Sequence, residues 1–248
     1  MIELSALLPI FLVIFAAMSV RTLTGFGSAL VAVPLLSILL GAKYAVPFIM
    51  IYECLIDLLI LARETPRLRG DLAGAWPLLA AGLAGVPIGA EVLIAASDRL
   101  LKMGMGVALI AFSILLLGEV RLRPRLKRGG LGSAATGLFA GFLCGSTGLP
   151  GPPMALLLSG QGYEKGEFRR LMVLFLTAVD FASFGYFFWA GIITGEMLLQ
   201  GSLFLPAMVL GFIAGSSGFG RVDEALFRRL TLGITLSAGL LLLLTTVR

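Results

Sequence analysis

The chain contains no histidine. That removes the commonest general base, proton shuttle and transition-metal ligand together. Charge is also scarce: Asp, Glu, Lys and Arg make up 13% of the 248 residues, against about 25% in an average soluble domain. Hydrophobic residues reach 58% and the mean hydropathy is +1.03. So little polar surface cannot cover a water-soluble globule, and the composition specifies an all-α integral membrane protein. There are two cysteines, Cys54 and Cys144, both in apolar stretches, so no disulfide framework is indicated. The "GFG" at 25–27 has no strand, acidic partner or βαβ unit around it and is no dinucleotide fingerprint. No cofactor is expected.

The net charge of +5 does not point to nucleic acid. The basic residues sit in short loops between apolar runs, where they act as topology determinants. No Lys or Arg precedes the first apolar run, "LSALLPIFLVIFAAMSV", so a retained first helix is expected rather than a cleaved signal peptide.

Apolar runs divide the chain into about ten segments: 4–20, 28–40, 44–62, 72–96, 101–118, 131–144, 151–160, 168–190, 197–216 and 227–247. Several have the ~20 residues that cross a bilayer. Those at 28–40, 131–144 and 151–160 reach only roughly 15–21 Å at 1.5 Å per residue, short of a hydrocarbon core about 30 Å thick. They read as half-helices or re-entrant hairpins. With the basic linker at 119–130 placed in the cytoplasm, alternation puts fifteen of the nineteen Lys and Arg on the inner side, Arg21 among them. Both termini then lie outside a cell (inner) membrane. Arg21 has the alternative of lying deep in the protein.

The two halves repeat each other. An offset of 123 places Thr24-Gly25 on Thr147-Gly148 and Asp57 on Asp180; an offset of 126 places Gly85 on Gly211, Gly89 on Gly215, Leu100 on Leu226 and Lys102 on Arg228. Residues 1–120 form a first repeat, 121–130 a cytoplasmic linker and 131–248 a second repeat. Five segments per half is an odd number, so the halves run in opposite directions, an inverted-topology repeat typical of secondary transporters.

Two Gly/Pro-rich breaks interrupt the apolar pattern, "RTLTGFGS" at 21–28 and "CGSTGLPGPP" at 144–153. Non-helical backbone at membrane depth is tolerated where it is buried in protein or lines a wet cavity. Each break precedes an apolar helix. Thr24 is expected to cap the first, and Ser146 or Thr147 the second; Pro152 and Pro153 suit a first turn. Two helix N-termini aimed at one point make an anion site. The expected substrate-binding residues are Arg21, Thr24, Gly25, Phe26, Gly27 and Ser28 from the first break, and Ser146, Thr147, Gly148, Leu149, Pro150 and Gly151 from the second. Arg21 falls on Cys144 at the repeat offset, so its charge belongs to one half alone.

These two breaks resemble the paired glycine-rich motifs of the TauE/SafE group of membrane permeases, of the forms G-x-G-G-G-x-x-x-x-P and G-x-x-G-P-P. Here they read Gly25-Phe-Gly27-Ser28-Ala29-Leu-Val-Ala-Val-Pro34 and Gly148-Leu-Pro150-Gly151-Pro152-Pro153. The first copy departs from the pattern at Ser28 and Ala29. The resemblance covers both halves and implies transport of sulfite, an organosulfonate or another small organic anion.

Glu53, Asp57, Glu91 and Asp180 fall inside apolar segments. Acids at that depth usually face the protein interior and often act in function. Glu53, Asp57 and Asp180 are the candidates for coupling or gating, by holding a proton or Na⁺ that offsets the anion's charge. The alternative is a structural pairing with Arg21, and Asp57 could also snorkel to the interface. Glu91 reads as solvated near the outer end of its span, and Trp76 and Trp189 as interfacial belt residues. "EKGEFRR" at 164–170 reads as a solvated cytoplasmic turn. The function expected is a secondary transporter working by alternating access, with the lipid bilayer and a small anion as partners and no nucleic acid. A passive anion channel and an accessory subunit of a larger complex are the alternatives. The lack of histidine and the repeat oppose an intramembrane enzyme built on Cys144, Ser146 or an acid pair.

Overall fold

Inside lipid, a chain must satisfy its backbone N–H and C=O groups within itself, and the helix does so locally. The computed structural model describes residues 4–64, 75–117, 130–218 and 224–247, and every regular element among them is α-helical. The order is α1 (Leu4–Thr24), α2 (Ser28–Leu40), α3 (Ala42–Glu64), α4 (Trp76–Ala95), α5 (Asp98–Leu117), α6 (Leu131–Thr147), α7 (Gly151–Gly160), α8 (Lys165–Trp189), α9 (Gly195–Ser202), α10 (Leu205–Gly218) and α11 (Glu224–Val247). By length and composition α1, α3, α4 and α8 can each cross a membrane, and the pair α9–α10 can do so as one bent span.

The segment read as 197–216 is therefore two helices, meeting at 54°. Pro206 has no N–H to continue the ladder from α9, and the chain turns there. The short helices α2, α6 and α7 match the short runs in the sequence. The linker 121–130, apart from Gly130, lies outside the described residues, as do Arg67, Arg69 and Arg221.

The helices are apolar on both sides, and burial separates a core face from an outer one. On α1, Leu4, Leu8 and Leu12 are exposed while Ile10, Ile14, Ala17, Met18 and Arg21 are buried. Trp76 opens α4 and Trp189 closes α8, both largely exposed. Near the far end of α4, Glu91 is exposed and accepts a hydrogen bond from Tyr186 of α8.

Close packing depends on glycine at two seams. α4 lies along α6 so tightly that a Cβ at Gly141 would sit 1.9 Å from the Gly82 carbonyl oxygen, and one at Gly89 2.0 Å from that of Phe142. α10 lies on α1 in the same manner, Gly211 and Gly215 each bringing a would-be Cβ within 2.6 Å of a backbone oxygen. Small residues let membrane helices approach to backbone contact. Further pairs are α5 with α11, α3 with α8, α1 and α3 with α2, and α6 with α7. The core is built around α3, whose Phe48, Tyr52 and Ile56 are fully buried.

Candidate functional site

Both breaks begin with the same backbone device. α1 ends where Gly25 takes φ +83 and its N–H donates to the Arg21 carbonyl at 2.7 Å. α6 ends where Gly148 takes φ +69 and its N–H donates to Cys144 at 3.1 Å. Each is a left-handed glycine C-cap, a conformation other residues adopt with strain.

The expected side-chain caps do not form. Thr24 is the last residue of α1; its hydroxyl lies 2.8 Å from the Val20 carbonyl and also bonds the Phe26 backbone, accepting from the Phe26 N–H at 3.3 Å, but it caps no amide of α2. Ser146 and Thr147 likewise donate to Phe142 and Leu143 within α6, at 2.7 and 2.9 Å. A Ser or Thr inside a helix bonds the carbonyl four residues back whenever the next turn does not offer a better acceptor. The residues at the start of α2 and α7 are Gly27 and Pro150, and neither supplies a side-chain cap. The first N–H groups of those helices, at Ser28, Ala29 and Gly151, have no acceptor inside the helix.

The two starts meet at one cavity. Gly27, Ser28, Ala29 and Leu30 line it from the first break, and Gly148, Leu149, Pro150, Gly151 and Pro152 from the second. Arg21, Glu53, Leu176 and Asp180 complete the wall. Of the expected binding residues, Thr24, Gly25, Phe26, Ser146 and Thr147 are not on this wall. Phe26 instead packs its ring against Gly151 and edge-on to Phe168, 6.2 Å between centroids. The cavity measures about 10 Å³, room for about one water. A sulfite ion does not fit a space of that size.

Arg21 lies deep in the protein, 3% exposed, and not in a loop. Its Nη2 is 2.5 Å from Asp57 Oδ1 and 3.2 Å from Asp180 Oδ2, and its Nε is 3.2 Å from Asp57 Oδ1 and 3.6 Å from Glu53 Oε2. Asp57 is fully buried and does not snorkel. The Cys144 thiol donates to Asp180 Oδ1 at 3.3 Å and accepts from the Ser183 hydroxyl at 3.2 Å. A single guanidinium thus stands among three carboxyls, and full ionisation would leave two uncompensated negative charges. Buried charge is tolerated when paired.

Arg169 departs from the reading of its segment as a solvated turn. It is half-buried and reaches from α8 to the end of α1, Nη1 to the Leu23 carbonyl at 3.0 Å and Nη2 to that of Thr22 at 3.2 Å. A cation at a helix C-terminus meets the negative end of its dipole. Arg169, Cys144 and Ser183 are the site neighbours that sequence reasoning missed in these roles. No local signal ties Arg169 to residues 146 positions away.

The family description Sulfite exporter TauE/SafE matches residues 10–242. A protein of Cupriavidus necator named "Probable sulfite/organosulfonate exporter TauE" is 25% identical over 236 residues, covering 92% of this chain and 90% of its own. No solved structure gives a significant match. With the family description spanning nearly the whole chain, both glycine-rich breaks included, this multi-pass membrane protein belongs to the TauE/SafE sulfite exporter family.

Proposed function

We propose that the chain is a secondary transporter that moves sulfite, an organosulfonate or a related small anion by alternating access. The observation that carries this is the meeting of two uncapped helix starts at one cavity, Ser28 and Ala29 facing Gly148–Gly151. Free backbone N–H groups and two positive dipole ends favour an anion there. The family and the named relative add the chemical class and export as the direction.

Inverted halves, 1–120 and 131–248 about the linker, are part of this reading, with both termini outside. The pattern of neighbours supports it. Exchanging α1, α2, α3, α4 and α5 for α6, α7, α8, α10 and α11 carries the α4–α6 pair onto α10–α1 and α1–α2 onto α6–α7, and leaves α3–α8 and α5–α11 unchanged. The cavity obeys the offset of 123 as well: Gly27 answers to Pro150, Ser28 to Gly151 and Ala29 to Pro152, all on its wall. Arg21 is no longer a loop charge, and the expected inside bias without it is fourteen to four.

The acids oppose an anion unless their charge is matched when it binds. Protons or Na⁺ on Glu53, Asp57 and Asp180 supply the match, and so tie anion movement to a second ion. The small size of the cavity supports gated access rather than an open channel.

The test is the purified chain in liposomes. Saturable sulfite or sulfonate uptake that accumulates against its own gradient under a proton or sodium gradient is the expected result. Equilibration without accumulation assigns a passive channel, and no flux assigns an accessory role.

A further inference from the structure

Among the three buried acids Glu53 stands apart. Asp57 Oδ1 takes two donors from Arg21 while its Oδ2 takes none, and Asp180 takes Arg21 on one oxygen and the Cys144 thiol on the other. Both Glu53 oxygens lack a hydrogen-bond partner, although the residue is only 3% exposed. Arg21 Nε, 3.6 Å away, is beyond hydrogen-bond distance. The Ser28 hydroxyl, 0% exposed, also has no partner. Glu53 and Ser28 line the same cavity, where the two helix starts meet. The two side chains face each other closely enough to interact without completing a hydrogen bond, and an anion's oxygen set between them would give both a full partner.

The repeat sharpens the point. At the offset of 123, Glu53 falls on Leu176, which lines the same cavity. An apolar residue fills the equivalent place in the other half, so packing there does not require a carboxyl. The charged groups facing Glu53 are Arg21 from α1, Asp57 one turn further along α3, and Asp180 from α8; the Cys54 thiol adjoins it in sequence.

We infer that Glu53 carries the proton moved with the anion, and that its neutral carboxyl and the Ser28 hydroxyl donate hydrogen bonds to the anion's oxygens. This rests on the anion-transport reading above. A carboxylate would repel the anion, whereas a neutral carboxyl donates to it, so anion and proton bind together. Arg21 at 3.6 Å disfavours a metal cation in the same place. Among the described residues no cluster of three His, Cys, Asp or Glu side chains has metal-ligand geometry. The sign follows: anion affinity is highest when Glu53 is neutral and falls as pH rises past its titration.

Methanesulfonate is the probe, because its own charge is constant across the mildly acidic and neutral range, unlike that of sulfite. For the wild-type chain, affinity is expected to fall by about tenfold per pH unit on the alkaline limb, with one proton entering proteoliposomes per anion. Glu53→Gln, which holds a neutral donor at every pH, is expected to bind with a pH-independent affinity and to lose accumulation driven by a pH gradient. Ser28→Ala is expected to weaken binding by about tenfold, one lost hydrogen bond to a charged group, while keeping the pH slope. A wild-type pH slope in Glu53→Gln, or dependence on Na⁺ in place of protons, overturns the assignment and leaves transport standing. Should Glu53→Gln fail to fold, a proton count of zero in wild-type vesicles still overturns it. If the wild-type chain binds and moves neither methanesulfonate nor sulfite, the transport reading itself fails and the assignment goes with it.

Discussion

Asp57 and Asp180, 123 positions apart, meet on one nitrogen: Arg21 Nη2 lies 2.5 Å from the first and 3.2 Å from the second. The sequence offset of 123 that aligns the two glycine-rich breaks also sets Asp57 on Asp180 and Arg21 on Cys144. One cation therefore serves both acids. The Cys144 thiol in turn donates to Asp180.

Arg21→Met should therefore destabilise strongly. Removing one partner from a buried ion cluster costs about 3–5 kcal/mol. The triple variant Arg21→Met with Asp57→Asn and Asp180→Asn should recover most of that loss. Thermal unfolding in detergent measures both. A single variant as stable as wild type would show that the acids do not depend on Arg21.

The α4–α6 seam predicts a second asymmetry. Gly141→Ala places a methyl 1.9 Å from the Gly82 carbonyl oxygen, and overpacking of this kind costs about 1–3 kcal/mol. Gly104→Ala meets nothing within 4 Å in α5, and should stabilise by about 0.5–1 kcal/mol through the helix preference of alanine over glycine. Unfolding midpoints that shift the same way for the two would remove backbone contact as the reason for glycine at 141.

Arg169→Ala deletes two hydrogen bonds to the last carbonyls of α1, beside the first break. Hydrogen bonds from a charged group contribute about 1.5–3 kcal/mol each at the upper end. Faster amide hydrogen exchange at residues 22–26 is the expected readout, with α6 unaffected. Unchanged exchange there would show that the arginine does not hold the end of α1.

Thr24→Val, Ser146→Ala and Thr147→Val bear on the hydroxyls first expected to cap α2 and α7. All three bond back into their own helices, Thr24 bonding the Phe26 backbone as well, and all lie off the cavity wall. Stability should change by about 0.5 kcal/mol or less, and anion affinity should stay within about threefold of wild type, which is under 1 kcal/mol. A larger loss of affinity in any of the three would bring that hydroxyl back into the site.

Much of the fold was legible because its signals are local. Glycine at 25, 27 and 148 breaks a helix wherever it takes positive φ, and Pro152 and Pro153 start one. The short runs at 28–40 and 151–160 became α2 and α7 with the same bounds. What escaped depended on distant partners. Arg21 looked like the end of a span, yet α1 continues three residues beyond it, because acids 36 and 159 positions away neutralise its charge. The cap assignments failed because a threonine before a glycine serves equally as a last residue bonded backward and a first residue bonded forward. The sequence does not say which carbonyl is nearer. The bend between α9 and α10 had its signal in Pro206, masked by the apolar run around it.

The central claim is that a small anion sits between the starts of α2 and α7. An experimental density map of the protein with bound methanesulfonate or sulfite tests it most directly. The account predicts density for the anion between the Ser28 and Gly151 amides, with the cavity enlarged beyond its present 10 Å³. Anion density elsewhere, with these two helix starts still packed against each other, would contradict it.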